Sequence, residues 1–173
     1  MAIINGTSGS ETVNGTTSDD TINGLGGNDK LIGDLGNDTY EFSGNFSTSY
    51  DEVVELAGNG SDTIRILSDI PASAVRLQGT TSNGLWVIAD GYGQVYLGNQ
   101  LAAANVEWLQ IGNSTPISLT GGINMAGNDG NNTIYGTAFN DTINGRGGND
   151  SLTGGLGNDT YEFSGNFSTS YDE

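Results

Sequence analysis

Single large apolar residues stand nine apart near the start of the chain, at Val13, Ile22, Leu31 and Tyr40. Around them the sequence is Gly, Asn, Ser, Thr and Asp. The beat defines four units, each opening on glycine: Gly6–Asn14, Gly15–Asn23, Gly24–Ile32 and Gly33–Glu41. Position eight of each is the apolar residue. Position six is acidic: Glu11, Asp20, Asp29 and Asp38. Four more units follow far down the chain, at Gly127–Tyr135, Gly136–Asn144, Gly145–Thr153 and Gly154–Glu162, with Asn132, Asp141, Asp150 and Asp159 at position six. The two blocks are related by a constant offset, Asp38 to Asp159, and Gly157–Glu173 repeats Gly36–Glu52 letter for letter. A short period thus sits inside a long one, and period takes precedence over other fold arguments.

Nine residues divide into a six-residue turn and a three-residue strand. Only position eight is regularly large and apolar, so it alone points inward. Two units make one coil with a strand on each side, and stacked coils give a flattened right-handed parallel roll with a thin core of Val13, Ile22, Leu31 and Tyr40. Glycine at position one, and often at position four, suits turns with positive φ or close backbone approach. Between the blocks, "AVRLQG", "GLWVIAD", "GQVYLGN", "NVEWLQI" and "PISL" read as short strands. Asp90-Gly91 marks a tight hairpin. These runs predict a small antiparallel sheet over about Thr63–Thr120 with Trp86 and Trp108 in its core, and "NQLAAAN" (99–105) predicts one helical turn. The expected fold is all-β, with parallel β-roll segments at both ends flanking a small antiparallel β domain. Its expected divisions are residues 1–62, 63–120 and 121–173.

Charge narrows the functional classes. The chain carries 21 acidic against 4 basic residues, a formal net charge of −17. That balance argues against nucleic-acid phosphates and anionic membrane surfaces as partners. No apolar run approaches a membrane span. The absence of Cys and His excludes disulfides, zinc–thiolate sites, cysteine nucleophiles and histidine acid–base chemistry. "MAIINGTSGS" has neither the basic nor the apolar region of a Sec-type signal peptide.

In the predicted roll, position six of one unit lies over position six of the unit two later. Asp20 stacks on Asp38, and Asp141 on Asp159. Bare carboxylates so placed repel, and a hard divalent cation between them converts repulsion to cohesion. Turn carbonyls complete an all-oxygen shell that suits Ca²⁺ better than Mg²⁺.

These units resemble the G-G-x-G-x-D-x-U-x nonapeptides of the RTX family, calcium-binding parallel β-rolls. The resemblance implies a carboxylate from position six, carbonyls from positions two and four of one loop, and carbonyls from positions one and three of the loop two units on. One implied site uses Thr16, Ser18 and Asp20 with Gly33, Leu35 and Asp38. Its counterpart uses Thr137, Phe139 and Asp141 with Gly154, Leu156 and Asp159. A site on the other edge uses Thr7, Gly9 and Glu11 with Gly24, Gly26 and Asp29. Leu25 and Gly27, and Gly36, stand at ligand positions of the next loops up, and Gly145, Gly147 and Asp150 lie over Asn132. Glu11 departs from the pattern by its longer arm, and Asn132 by removing a charge. The run "SDTIRILSDIPASAVRLQGTTSNGLWVIADGYGQVYLGNQ" resembles a domain found beside RTX repeats in haemolysin-type calcium-binding proteins. Within "AGNGSDTIR", Asp62 takes position six and is expected to close a site with Asp38 or Asp29. The intervening "SGNFSTSYDE" reads as a cap or an insertion.

Calcium ions are therefore the expected partner, with no nucleic acid and no membrane insertion. The resemblance implies an extracellular protein exported by a bacterial type I route. The leading expectation is a non-enzymatic structural repeat protein that folds on calcium and self-associates through its terminal rolls into matrix, surface-layer or filament material. The alternative is the non-catalytic export module of a larger secreted enzyme, toxin or adhesin. Carbohydrate binding by Trp86, Tyr92 or Tyr96 ranks third. Neither H-E-x-x-H nor G-x-S-x-G occurs, so no catalytic role is expected.

Overall fold

The computed structural model of the protein describes residues 1–56, 58–80, 84–98, 100 and 105–163. Within them every sheet is built from short strands, and two stacks face each other across the core. On one face, β1 (Ile3–Asn5), β3 (Thr21–Asn23), β5 (Thr39–Phe42) and β7 (Thr63–Ile66) pair in parallel. The same sheet takes in β11 (Trp108–Ile111), parallel to β7, and ends on β12 (Ile117–Ser118). On the other face, β2 (Thr12–Asn14), β4 (Lys30–Ile32), β6 (Asp51–Val54) and β10 (Gly93–Leu97) pair in parallel. Antiparallel strands β9 (Leu85–Ala89) and β8 (Val75–Gly79) follow.

The second block resumes the winding. Strand β14 (Thr133–Tyr135) pairs with β16 (Ser151–Thr153), and β14 also touches β8 through Tyr135 and Gly79, so one eight-stranded sheet runs from β2 to β16. A three-stranded parallel sheet holds β13 (Asn124–Ala126), β15 (Thr142–Asn144) and β17 (Thr160–Glu162).

The nine-residue beat sets the register directly. Ile3 pairs with Thr21, Thr12 with Lys30, Thr21 with Thr39, Thr133 with Ser151 and Thr142 with Thr160. Each step is two units. Where the beat is interrupted the stack continues with longer turns: Lys30 meets Glu52, Thr39 meets Thr63, and Thr63 meets Trp108. The first "SGNFSTSYDE" is thus an insertion in a coil, because Asp51 and Glu52 return to the ladder as the start of β6. Its second copy lies outside the described residues.

Parity places the core. Val13, Ile22, Leu31 and Tyr40 are all buried, as the spacing requires; the first three sit at the centres of three-residue strands and Tyr40 is the second residue of β5. Phe46 in the inserted turn is also buried and lies 5.0 Å from the Phe42 ring. In the middle region inward parity falls to Leu85, Val87 and Ala89 on β9 and to Leu109 on β11. The tryptophans take the opposite parity, so the expectation of two core tryptophans fails. Trp108 is 38% exposed, its Nε1–H donating to Ser61 Oγ at 3.0 Å. Trp86 is half-buried on the outer face, its ring 4.8 Å from Tyr96 and 5.3 Å from Tyr50.

The antiparallel pairing expected over Thr63–Thr120 is confined to β8–β9–β10 and β11–β12. Strands β7 and β11 belong to the parallel sheet, because Asp62 continues the position-six series and aligns the strand that follows it. The Asp90-Gly91 hairpin forms between β9 and β10, with Gly91 at φ +85 and the Tyr92 N–H on the Ala89 carbonyl at 2.9 Å. The helical turn expected at 99–105 falls largely outside the described residues.

Candidate metal centre

Position-six side chains form a continuous ladder along each edge. One carboxylate oxygen of each accepts the backbone N–H of the matching residue one coil below. Asp20 Oδ1 takes Ala2 N–H, Asp38 Oδ1 takes Asp20 N–H, and Asp62 Oδ1 takes Asp38 N–H, each at 2.8 Å. Glu107 extends this edge, taking Asp62 N–H at 2.6 Å. On the other edge Asp29 takes Glu11 N–H at 2.9 Å and Asp51 takes Asp29 N–H at 2.8 Å. The second block repeats the arrangement with Asp141 on Ile123, Asp159 on Asp141 and Asp150 on Asn132. Each predicted pair of stacked loops is therefore adjacent. Asp62 closes on Asp38, and the partner of Asp29 is Asp51.

The second carboxylate oxygen separates two kinds of loop. In the outermost N-terminal coil and in the first coil of the second block, position two supplies its own N–H. Thr16 N–H and Oγ1–H both reach Asp20 Oδ2 at 2.7 Å, and Thr137 N–H reaches Asp141 Oδ2 at 2.5 Å. Thr7 N–H donates likewise to Glu11 Oε1, so the longer arm of Glu11 does the same work. Asn132 is satisfied in the same way, by Asn128 N–H at 2.7 Å, while its amide donates to Gly130 O.

In the next coil up, position two adopts a left-handed conformation: Leu25 at φ +70, Asp34 at +74, Arg146 at +68 and Gly155 at +94. Leu25 N–H then turns to Asn23 Oδ1, and Arg146 N–H to Asn144 Oδ1. The position-six carboxylate loses that donor. Asp29 Oδ2 and Asp38 Oδ2 are buried with no hydrogen-bond partner. A buried unpaired oxygen of this kind is costly. Each lies against its own position-one glycine. A Cβ on Gly24 would stand 2.5 Å from Asp29 Oδ2, and one on Gly33 would overlap Asp38 Oδ2, Glu55 Oε1 and Tyr40 OH.

Carboxylates also converge where the first roll meets the middle strands. Asp38, Glu55 and Asp62 each place one oxygen within 4.8 Å of the others, and all three are buried. Tyr40 OH donates to Glu55 Oε1, while Glu55 Oε2 has no partner. Burial, with neighbouring carboxylates adding to it, raises Asp51 and Glu55 to about 7 and Asp62 to about 6. Burial also raises Asp29 and Asp38. Asp20 moves the other way, held down first by its Thr16 hydrogen bond. The upper loops thus hold carboxylates that want a charge partner, and the lower loops hold carboxylates already satisfied.

The profile of the RTX calcium-binding nonapeptide repeat, four copies, matches residues 5–40 and 126–161. Both segments match that repeat along their whole length. The matched segments hold the regular part of the ladders, which run on through Asp51, Asp62 and Glu107, and the donor set suits calcium: hard, anionic oxygens with unsatisfied lone pairs at the turn edges. No curated protein sequence matches the chain. Among solved structures, the crystal structure of the extracellular lipase LipA from Serratia marcescens matches at 16% identity and a TM-score of 0.27, over 93% of this chain and 27% of that one. This chain spans about a quarter of that lipase, and the likeness is too loose to carry an argument. Among the described residues no helix is long and apolar enough to cross a membrane.

Asp51, Glu55 and Glu107 are the residues that sequence reasoning missed. Asp51 and Glu55 stand at no multiple of nine from the repeat, and Glu107 keeps the beat only with Asp62, 45 residues earlier. The one available signal was the acidic run "SYDEVVEL", whose alternation puts Asp51, Val53 and Glu55 on one side of a strand.

Proposed function

We propose that the chain is a secreted, non-catalytic calcium-binding structural module whose rolls fold when the ion binds and whose open ends then associate. The observation that carries the calcium switch is the pair of buried, unpartnered oxygens on Asp29 and Asp38. In the absence of a cation they oppose folding. A bound Ca²⁺ would supply the missing partner and cancel the repulsion along each edge.

The residues proposed to hold it are those of the stacked loops. Asp38 with Gly33 and Leu35 would face Thr16, Ser18 and Asp20. Asp29 with Gly24 and Gly26 would face Thr7, Gly9 and Glu11. Leu25, Gly27 and Gly36 would serve the loops carrying Asp51 and Asp62. Thr137, Phe139, Asp141, Gly154, Leu156 and Asp159 repeat the first set in the second block, and Gly145, Gly147 and Asp150 the second. In the lower loops the ion competes with the Thr16 and Thr137 N–H groups, so those carboxylates are the weaker contributors.

A regular nine-residue-repeat coil buries only two large apolar side chains, Ile22 and Leu31 in the coil of β3 and β4, too little to offset the entropy of ordering eighteen residues. At about millimolar calcium and a Kd near 10⁻⁴ M, each site contributes roughly 1.4 kcal/mol. Several sites would carry the roll from unfolded to folded outside a cell, and leave it open where calcium is scarce. The self-association reading rests on the stack's edges: β1 and β2 at one end present unpaired strand edges beside an exposed Ile3. Circular dichroism and light scattering in EGTA, then in millimolar calcium, test both parts. Unchanged β content would remove the switch, and a strictly monomeric folded species would remove the assembly.

A further inference from the structure

The three-carboxylate cluster at the junction differs from every other rung. A repeat rung pairs two position-six side chains from successive coils. Here Asp38 and Asp62 do so, but Glu55, which is at no repeat position, brings an oxygen within 4.8 Å of both. Its geometry is prepared. Tyr40 OH donates to Glu55 Oε1, Asp38 Oδ2 lies near that same oxygen across Gly33, and Asp38 Oδ2 and Glu55 Oε2 are both buried without a partner. Asp38 and Glu55 are 1% and 6% exposed. Gly33 is what lets these oxygens come together, since an added Cβ there would overlap both Glu55 Oε1 and Asp38 Oδ2.

Resting on the calcium reading of the rolls, we propose that Asp38, Glu55 and Asp62 form a distinct calcium site that fills before the others and locks the first roll to the middle strands. Three buried carboxylates would face one ion, a grouping found at no other rung among the described residues, and calcium affinity rises with ligand charge and rigidity. The position explains the coupling. Glu55 directly follows β6 in the eight-stranded sheet, and Asp62 directly precedes β7 in the six-stranded sheet. One ion therefore pins both ends of the connection that crosses from sheet to sheet. Asp62 N–H also donates to Glu107, just before β11, so the same rung holds the strand that joins the middle region to the stack. Gly60 packs against the Gly36 carbonyl, which seats this connection on the loop that carries Asp38.

Isothermal titration of the full chain with calcium chloride tests the site. The wild type should bind one ion roughly tenfold or more tightly than the remainder. Glu55→Gln should lose that tight class and keep the weaker ones, and Asp29→Asn should keep the tight class. A Glu55→Gln isotherm that superimposes on the wild type overturns the site. So does loss of the tight class in Asp29→Asn alone. No binding by any of the three proteins would overturn the calcium reading of the rolls and this site with it. Tyr40→Phe gives a variant that keeps every carboxylate. Terbium chloride added at one equivalent should give tyrosine-sensitised emission in the wild type and much weaker emission in Tyr40→Phe. Equal emission from the two would place the first ion elsewhere and overturn the proposal.

Discussion

Position four of the repeat is glycine in several units, yet the structure demands it only in the upper coil of each stack. Gly36 has φ +126, and a Cβ there would lie 2.5 Å from Ser18 C and 2.6 Å from Asp19 N. Gly9 holds the same repeat position one coil lower, where the nearest atom to an added Cβ is Thr7 Oγ1 at 3.7 Å. Gly36→Ala therefore meets two costs. Holding a non-glycine residue at that φ costs about 1–3 kcal/mol. Pushing two backbones apart in a packed stack costs about 1–3 kcal/mol more. For a chain of this size, each kcal/mol moves Tm by roughly 2–4 °C, so Tm should fall on the order of 10 °C. Gly9→Ala should be neutral or stabilising by up to about 1 kcal/mol, because it only restricts the unfolded chain. Thermal unfolding of both variants in millimolar calcium decides the matter. Equal melting temperatures would refute the stacking geometry, since repeat position alone would then set the outcome.

Asp38→Asn keeps the oxygen that accepts Asp20 N–H but removes the charge beside Glu55 and Asp62. Circular dichroism in EGTA should show more residual β structure than the wild type, and urea denaturation in millimolar calcium should show a calcium-linked gain smaller by about 1.4 kcal/mol or more per lost site. Less β structure than the wild type in EGTA would contradict the repulsion argument. The raised carboxyls of Asp51, Glu55 and Asp62 bind protons more tightly in the fold than in the unfolded chain. Their contribution is therefore full below about pH 4 and is lost as pH rises through 6 to 7. Calcium-free protein should accordingly hold more β structure by circular dichroism at pH 5 than at pH 8, and a flat profile would count against buried unpaired acids. The depressed Asp20 acts below this window and does not reverse the trend. Leu31→Ala, at a fully buried position of β4, should cost about 2–5 kcal/mol in calcium, read from the urea midpoint.

The regular part of this fold was legible because one period controls everything in it. Nine residues per unit fixed the strand positions, the inward parity of Val13, Ile22, Leu31 and Tyr40, and the stacking of Asp20 beneath Asp38. What interrupts the period was not legible. The longer turns before β6, β7 and β11 shift register by amounts that only three-dimensional pairing reveals, so Asp51, Glu55 and Glu107 gave no recognisable beat. The tryptophans misled for a related reason: hydrophobicity marked them as core, but strand parity assigned the interior to Leu85, Val87 and Leu109. The repeat also concealed that its acids come in two states. Thr16 satisfies Asp20, whereas the left-handed turn at Asp34 leaves Asp38 open, and one-dimensional spacing does not distinguish the two.

Crystals grown in millimolar calcium and measured for anomalous scattering offer the most direct check. Ordered calcium peaks touching Asp38 Oδ2 and Asp29 Oδ2 are the predicted result. Refined density with water or nothing at both oxygens, in a folded roll, would contradict it.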